Sequence, residues 1–313
     1  MAGQEWSTSA LGGTLTSETL SRKARFKAQK KCRFRQLVRV ELEFGAHNGD
    51  YISLRKFGDL QDAGKKVGEK EKVPETQFLI TSGQVQVGEY TNSVPYTQRL
   101  SLFAKLSIED ATMVNLTNDM VKTLDHAAAE PFRDADIIYT PTGNTTNKDR
   151  ALATNGTPAD TATRNISAWD IRNIVDDMRS VYNIPAYDGN DYLCVASSVA
   201  LRGLKEDSDW VEAAKYGDPE KLFSGEVGRY YGCRFIEENN SLTHSMAGGL
   251  GEMIFMGWDP VVEIVAYPEE IQAKIGSDYG RDRAIRWVYF GGWGKTWDYA
   301  ADGEARMVRV YSL

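Results

Sequence analysis

The chain has 313 residues, 42% hydrophobic and 26% charged, a globular usage that excludes a collagen, a coiled coil and wholesale disorder. That length fits two average domains, or one large domain with an insertion, and buries roughly 75% of its unfolded surface without staples. Three cysteines without a CxxC pair speak against a disulfide framework, and no apolar run or leader-like start points to a membrane span or export, so a soluble intracellular protein is expected.

The formal net charge of −7 is unevenly distributed: Arg22 to Arg39 hold nine basic and no acidic residues, leaving −16 on the rest of the chain. Residues 1–20, rich in Ser, Thr and Gly, read as an extended arm, and 34–44 (FRQLVRVELEF) alternate like a strand. From Tyr51 to Leu106 the chain runs through β-favouring segments around a charged stretch. Residues 55–75 carry six basic and five acidic side chains, cannot bury a core of their own, and read as part of a long excursion. At Ser107 the period changes. Ser107 with Asp110 is an N-cap signal, and Ile108, Ala111, Val114, Val121, Leu124 and Ala128 fall near helical spacing, predicting a helix of about 24 residues. Residues 139–166 are almost free of large apolar side chains and read as a loop. Ser167 and Asp170 open a second helix with Ile171, Ile174, Val175, Met178 and Val181 on one face. Strands are predicted at 192–196, 230–236, 252–258 and 261–267, a short helix at 208–216, and a β-rich tail at 283–291 and 305–311. The mixture implies an α+β fold.

The chemistry-bearing patterns are broken ones. Gly291-Gly292-Trp293-Gly294-Lys295-Thr296 ends like a phosphate-binding loop, but Tyr289 stands where the first glycine is required, and no amphipathic helix follows. Gly248-Gly249-Leu250-Gly251 leads into a strand rather than out of one. His47, His126 and His244 stand alone, so no metal site and no cofactor is expected. Cys194 and Cys233 sit in apolar strands and read as inert thiols. The neighbouring carboxylates Asp176-Asp177, Glu237-Glu238 and Glu269-Glu270 read as solvated surface, and nothing argues for catalysis. Extended elements that bury little of themselves are explained if they bury against other copies of the chain.

In this order, the charged loop SLRKFGDLQDAGKKVGEKEKVPE, the helix SIEDATMVNLTNDMVKTLDHAAAE and the passage GEVGRYYGCRFIEENN resemble the tailed-bacteriophage major capsid proteins, with the Hong-Kong-type phage head fold, in their podophage and siphophage branch. The resemblance implies an N-terminal arm (1–42), an extended β-hairpin loop with flanking strands (43–106), a spine helix (107–137), an axial domain (138–255) and a C-terminal return to the peripheral domain (256–313). It implies hexamers and pentamers of the chain closing an icosahedral head around double-stranded DNA, a non-enzymatic role, and a place in the virion after assembly in the host cytoplasm. A separate scaffolding protein and a portal are the implied assembly partners, and no membrane. On this reading Lys65, Lys66, Glu69, Lys70, Glu71 and Lys72 of the loop, with Lys27, Lys30 and Lys31 of the arm, are the expected inter-subunit contacts. The competing readings are a cellular encapsulating shell of the same fold and a basic-arm nucleic-acid-binding protein.

Overall fold

A computed structural model describes residues 32–41, 49–60, 64–104, 107–208, 210, 226–242, 251–274, 278–297 and 304–313. The arm with Lys27, Lys30 and Lys31, and most of the helix expected at 208–216, lie outside these residues. In chain order the strands are β1 (Arg39–Glu41), β2 (Tyr51–Leu60), β3 (Phe78–Gln86), β4 (Gly88–Thr97), β5 (Ile137–Gly143), β6 (Lys148–Ala153), β7 (Tyr192–Ala196), β8 (Glu226–Tyr230), β9 (Cys233–Glu237), β10 (Gly251–Met256), β11 (Val261–Ala273), β12 (Asp282–Lys295) and β13 (Met307–Ser312). The helices are α1 (Gln98–Phe103), α2 (Ile108–Arg133), α3 (Ala168–Ser180) and α4 (Ala200–Glu206). Among the described residues the strands form a four-stranded sheet (β1-β11-β12-β4), a seven-stranded sheet (β6-β5-β13-β10-β7-β9-β8) and the two-stranded hairpin β2-β3. This is the expected α+β fold.

The seven-stranded sheet is covered on both faces, which is why its central strands read as unbroken apolar runs. Alternate residues go to opposite layers. Tyr192, Cys194, Met253 and Phe255 meet Ile171, Ile174, Val175 and Met178 of α3. Leu193, Val195, Ile254 and Met256 meet Ala128, Ala129 and Phe132 of α2, together with Phe34. The 26-residue helix α2, about 39 Å long at 1.5 Å per residue, joins the two large sheets. Its Ile108, Leu116 and Leu124 pack with Val265, Ile285, Trp287 and Tyr289 of the four-stranded sheet. At its other end Arg133 pairs with Glu252 of β10 at 3.2 Å, and Arg309 of β13 binds the same carboxylate at 2.6 Å. Ser107 caps α2 by accepting from the Asp110 N–H at 3.3 Å. Asp170 closes the start of α3 by accepting from the Ser167 N–H at 2.9 Å, and also takes Tyr139 Oη at 2.7 Å and the buried Arg164 guanidinium.

Several expectations give way to tertiary contacts. Residues 34–44 are not one strand: Phe34–Leu37 form a 3-10 turn before the short β1. The turn is held because Asp125 accepts from the Arg35 N–H at 3.2 Å and the Phe34 ring lies 5.3 Å from Phe132. Residues 139–166 are not all loop, since they contain most of β5 and all of β6. Their small and polar residues suit a strand pair at the sheet edge, and β13, far away in sequence, covers the other side of β5. Residues 230–236 are split into two strands by Tyr231 and Gly232, both at positive φ (47° and 73°). On α2, Val114 and Val121 are exposed while Thr112, Leu116 and Phe132 are buried, and Val181 at the end of α3 is also exposed. Ahead of the segment expected as a helix at 208–216, Ala200–Glu206 form α4, a helix absent from the sequence-based expectation. The last strand, β13, leaves β11 and β12 and sits between β5 and β10 in the seven-stranded sheet.

Candidate assembly surfaces

The hairpin has two dissimilar halves. At its base, Ile52 and Leu54 of β2 and Val85 of β3 face inward onto Val262 and Ile264 of β11. Lys56 continues this inner face and is buried, its stem lying against Gly83. The corner from β3 to β4 crosses β12 closely. A Cβ on Gly292 would lie 2.0 Å from the Gln86 carbonyl oxygen, and one on Gly294 would lie 2.4 Å from the Val85 side chain. Gly292 and Gly294 of the GGWGKT string are therefore the surface on which the hairpin base is seated. Lys295, which follows them, is tied to Asp134 by its ammonium (3.1 Å to the carboxylate, 2.8 Å to the carbonyl) and lies 3.6 Å from Asp136.

Toward the tip the outer face turns apolar. Register pairs Phe57 with Ile80 and Leu60 with Phe78, and each of these four side chains is more than half exposed. The Phe57 and Phe78 rings are 6.2 Å apart. Full burial of such a side chain is worth roughly 1.5–3 kcal/mol, so covering the remaining half contributes about 1 kcal/mol apiece. Past the strands, Lys65 donates to Glu71 at 2.9 Å, and Lys72 lies 3.2 Å from Glu75. The Gly68 N–H also donates to Glu71 at 3.3 Å. The Lys65 bond, helped by that N–H, holds the Glu71 carboxyl below its ordinary range. Lys66, Glu69 and Lys70 are exposed, and no ion pair joins them to other described residues. Of the expected contact residues the structure thus brings Lys65 and Glu71 together and leaves Lys66, Glu69 and Lys70 turned to solvent. No local pattern marks the apolar cluster, because residues 61–77 separate Phe57 and Leu60 from Phe78 and Ile80 in the sequence. Only the strand register assembles them.

Where the arm enters the body, Arg35 donates to Glu263 at 3.0 Å and to Glu269 at 3.0 and 3.2 Å, and lies over the Tyr289 ring at 5.3 Å. The Arg35 bond pulls the Glu269 carboxyl down. Burial, with Glu263 beside it, pushes the Tyr289 hydroxyl up, so it stays a donor to Glu263 at 2.8 Å. Glu238, expected on the surface, is fully buried and accepts from the Asn240, Ser241 and Leu242 N–H groups. Burial raises its pKa and that of Asp125, which also accepts from Asn240 Nδ2 at 3.3 Å. Cys194 and Cys233 are buried and free, and burial pushes the Cys194 thiol up. Among the described residues no group of His, Cys, Asp and Glu is arranged to hold a metal ion, and no helix is long and apolar enough to cross a membrane.

The two large sheets, the bridging helix and the β2-β3 hairpin form a fold shared with solved bacteriophage capsid chains. The chain is similar over its length to the capsid of Ralstonia phage GP4 (16% identity, TM-score 0.67, covering 95% of this chain and 94% of that one). It is likewise similar to the head structure of Helicobacter pylori bacteriophage KHP40 (14%, 0.71, 95% of each chain) and to the cyanophage Pam1 capsid (15%, 0.70, 95% and 96%). No protein-family model and no curated protein matches the chain.

Proposed function

We propose that the chain is a structural subunit, the major capsid protein of a phage, which assembles as hexamers and pentamers into an icosahedral head enclosing double-stranded DNA. The observation that carries this reading is the extent of the likeness: the match to capsid chains spans about 95% of both partners and so includes the hairpin and the bridging helix. Physical chemistry supports it independently. A hairpin whose outer face keeps Phe57, Leu60, Phe78 and Ile80 in water is costly in a monomer and favourable in an assembly that covers them. Lys66, Glu69 and Lys70, with the Lys65–Glu71 and Lys72–Glu75 pairs behind them, supply the polar rim of the same contact.

In this reading residues 1–42 are the arm, 43–106 the extended loop, 107–137 the spine helix, 138–255 the axial domain and 256–313 the peripheral return, with β13 passing back into the axial sheet. Lys27, Lys30 and Lys31 dock on acidic neighbouring surfaces, while the remaining −16 keeps the wall from trapping DNA. A scaffolding protein and a portal act in the host cytoplasm, and the finished product is the virion. Electron microscopy of the purified protein in negative stain tests the reading. Closed shells, tubes or rings are expected, and monomers that persist at high concentration overturn it.

A further inference from the structure

A cavity of about 560 Å3 is lined by residues 36–39, which lead into β1, and by residues around β7, β9 and the turn from β10 to β11. Sites for small molecules commonly have volumes of about 300–1,000 Å3 and are largely formed before they are filled. The walls here meet that condition. Asp188 and Asp191 exchange backbone hydrogen bonds at 3.1 and 2.9 Å, and the Tyr187 N–H donates to the Asp191 carbonyl at 2.9 Å. The Trp258 N–H donates to the Pro185 carbonyl at 3.0 Å, which fixes the start of the β10–β11 turn.

Most charges in this wall are settled. Asp191 is held by Arg229 at 2.7 Å and Arg234 at 3.0 Å, and Asp188 by Arg234 at 3.1 Å. Asp259 is not. Its side chain is only 8% exposed, yet its ion pair with Arg39 is long, at 3.5 Å. Its Oδ1 has no hydrogen-bond partner among the described residues. Burial outweighs the pull of Arg39 and Arg306 and holds the Asp259 carboxyl above its ordinary range. Arg39 and Arg234, the guanidinium groups of the lining, are both already directed to carboxylates. The unmet demand is therefore for a positively charged donor. Beside Asp259 in the lining is Trp258, whose ring keeps 53% of its area in water.

We propose that this cavity is a binding site for a small organic cation of the amine or guanidinium class, which donates to Asp259 and lies against the Trp258 ring. The inference goes beyond the shell reading and concerns the subunit itself. A buried carboxylate short of partners gains most from a charged donor. The indole face attracts the same charge, and a flat guanidinium stacks on it. A bare metal ion is a poorer fit, because no group of His, Cys, Asp and Glu among the described residues is arranged to hold one. An occupant would also tie residues 36–39 to the seven-stranded sheet, so binding should raise the subunit Tm.

Agmatine, which carries one amine and one guanidinium, is the probe. Isothermal titration of the purified protein in about 0.15 M salt should show saturable binding with a Kd of about 1 mM or tighter. No saturation by about 10 mM overturns the proposal. Asp259→Asn removes the charge and keeps a residue tolerant of the local φ of 52°, so it should fold and bind at least about tenfold more weakly. Trp258→Leu alters a side chain half in water, and should weaken binding at least about fivefold. Parental affinity in either folded variant means general attraction to a chain of net charge −7, and overturns the site. Should Asp259→Asn not fold, Trp258→Leu decides by the same criterion.

Discussion

The seven-stranded sheet and the β2-β3 hairpin are made of comparable strands in opposite surroundings. In the sheet, every residue of β7 and β10 is buried, because α3 lies on one face and α2 with Phe34 on the other. The hairpin is covered on the inner face of its base and keeps an apolar outer face near its tip. The sheet completes its burial within one chain, and the hairpin leaves its own unfinished. A residue in the first region therefore governs whether the subunit folds. One in the second should govern whether subunits join.

The largest effect on that contrast should come from Phe132→Ala, which removes the ring joining α2, Phe34 and the sheet. A loss of about 3–5 kcal/mol of subunit stability is expected, measured by urea unfolding, and a loss within error would deny α2 its bridging role. Next comes Phe57→Ser combined with Phe78→Ser. Both side chains are mostly in water, so subunit stability should move by no more than about 0.5 kcal/mol. Shell formation should nevertheless fail, because each lost contact is repeated over the whole assembly. Normal shells from this double variant would shift the contact to the charged tip.

A smaller effect concerns the joint where the arm meets α2. Burial holds the folded-state pKa of Asp125 above its unfolded value, so protonation favours the folded form. The parent should thus gain stability relative to Asp125→Asn as pH falls from about 7 toward about 4, and parallel pH profiles would show that Asp125 does not titrate in this way. The smallest effect is expected at the tip. Lys65→Ala should leave the melting temperature unchanged, since exposed ion pairs contribute little. Glu71, no longer held low by the ammonium, should return toward the ordinary carboxylate value in an NMR titration.

The sequence carried the helix beginning at Ser107, the cap at Ser167 and Asp170, the buried run of β7, and the order of parts that made a capsid fold the expectation. These are local signals: a capping side chain, an apolar period, or a charged stretch that cannot form a core. Other features depend on partners distant in the chain, and local pattern could not supply them. Arg35 turns helically because Asp125 waits 90 residues later. β5 is a strand because β13 arrives from the end of the chain. Gly292 and Gly294 lack side chains because Gln86 and Val85 pass over them. The same distinction divides the contact surface. Composition located the charged tip, since charge is legible residue by residue. The apolar cluster of Phe57, Leu60, Phe78 and Ile80 arises from strand register, which only the folded chain decides.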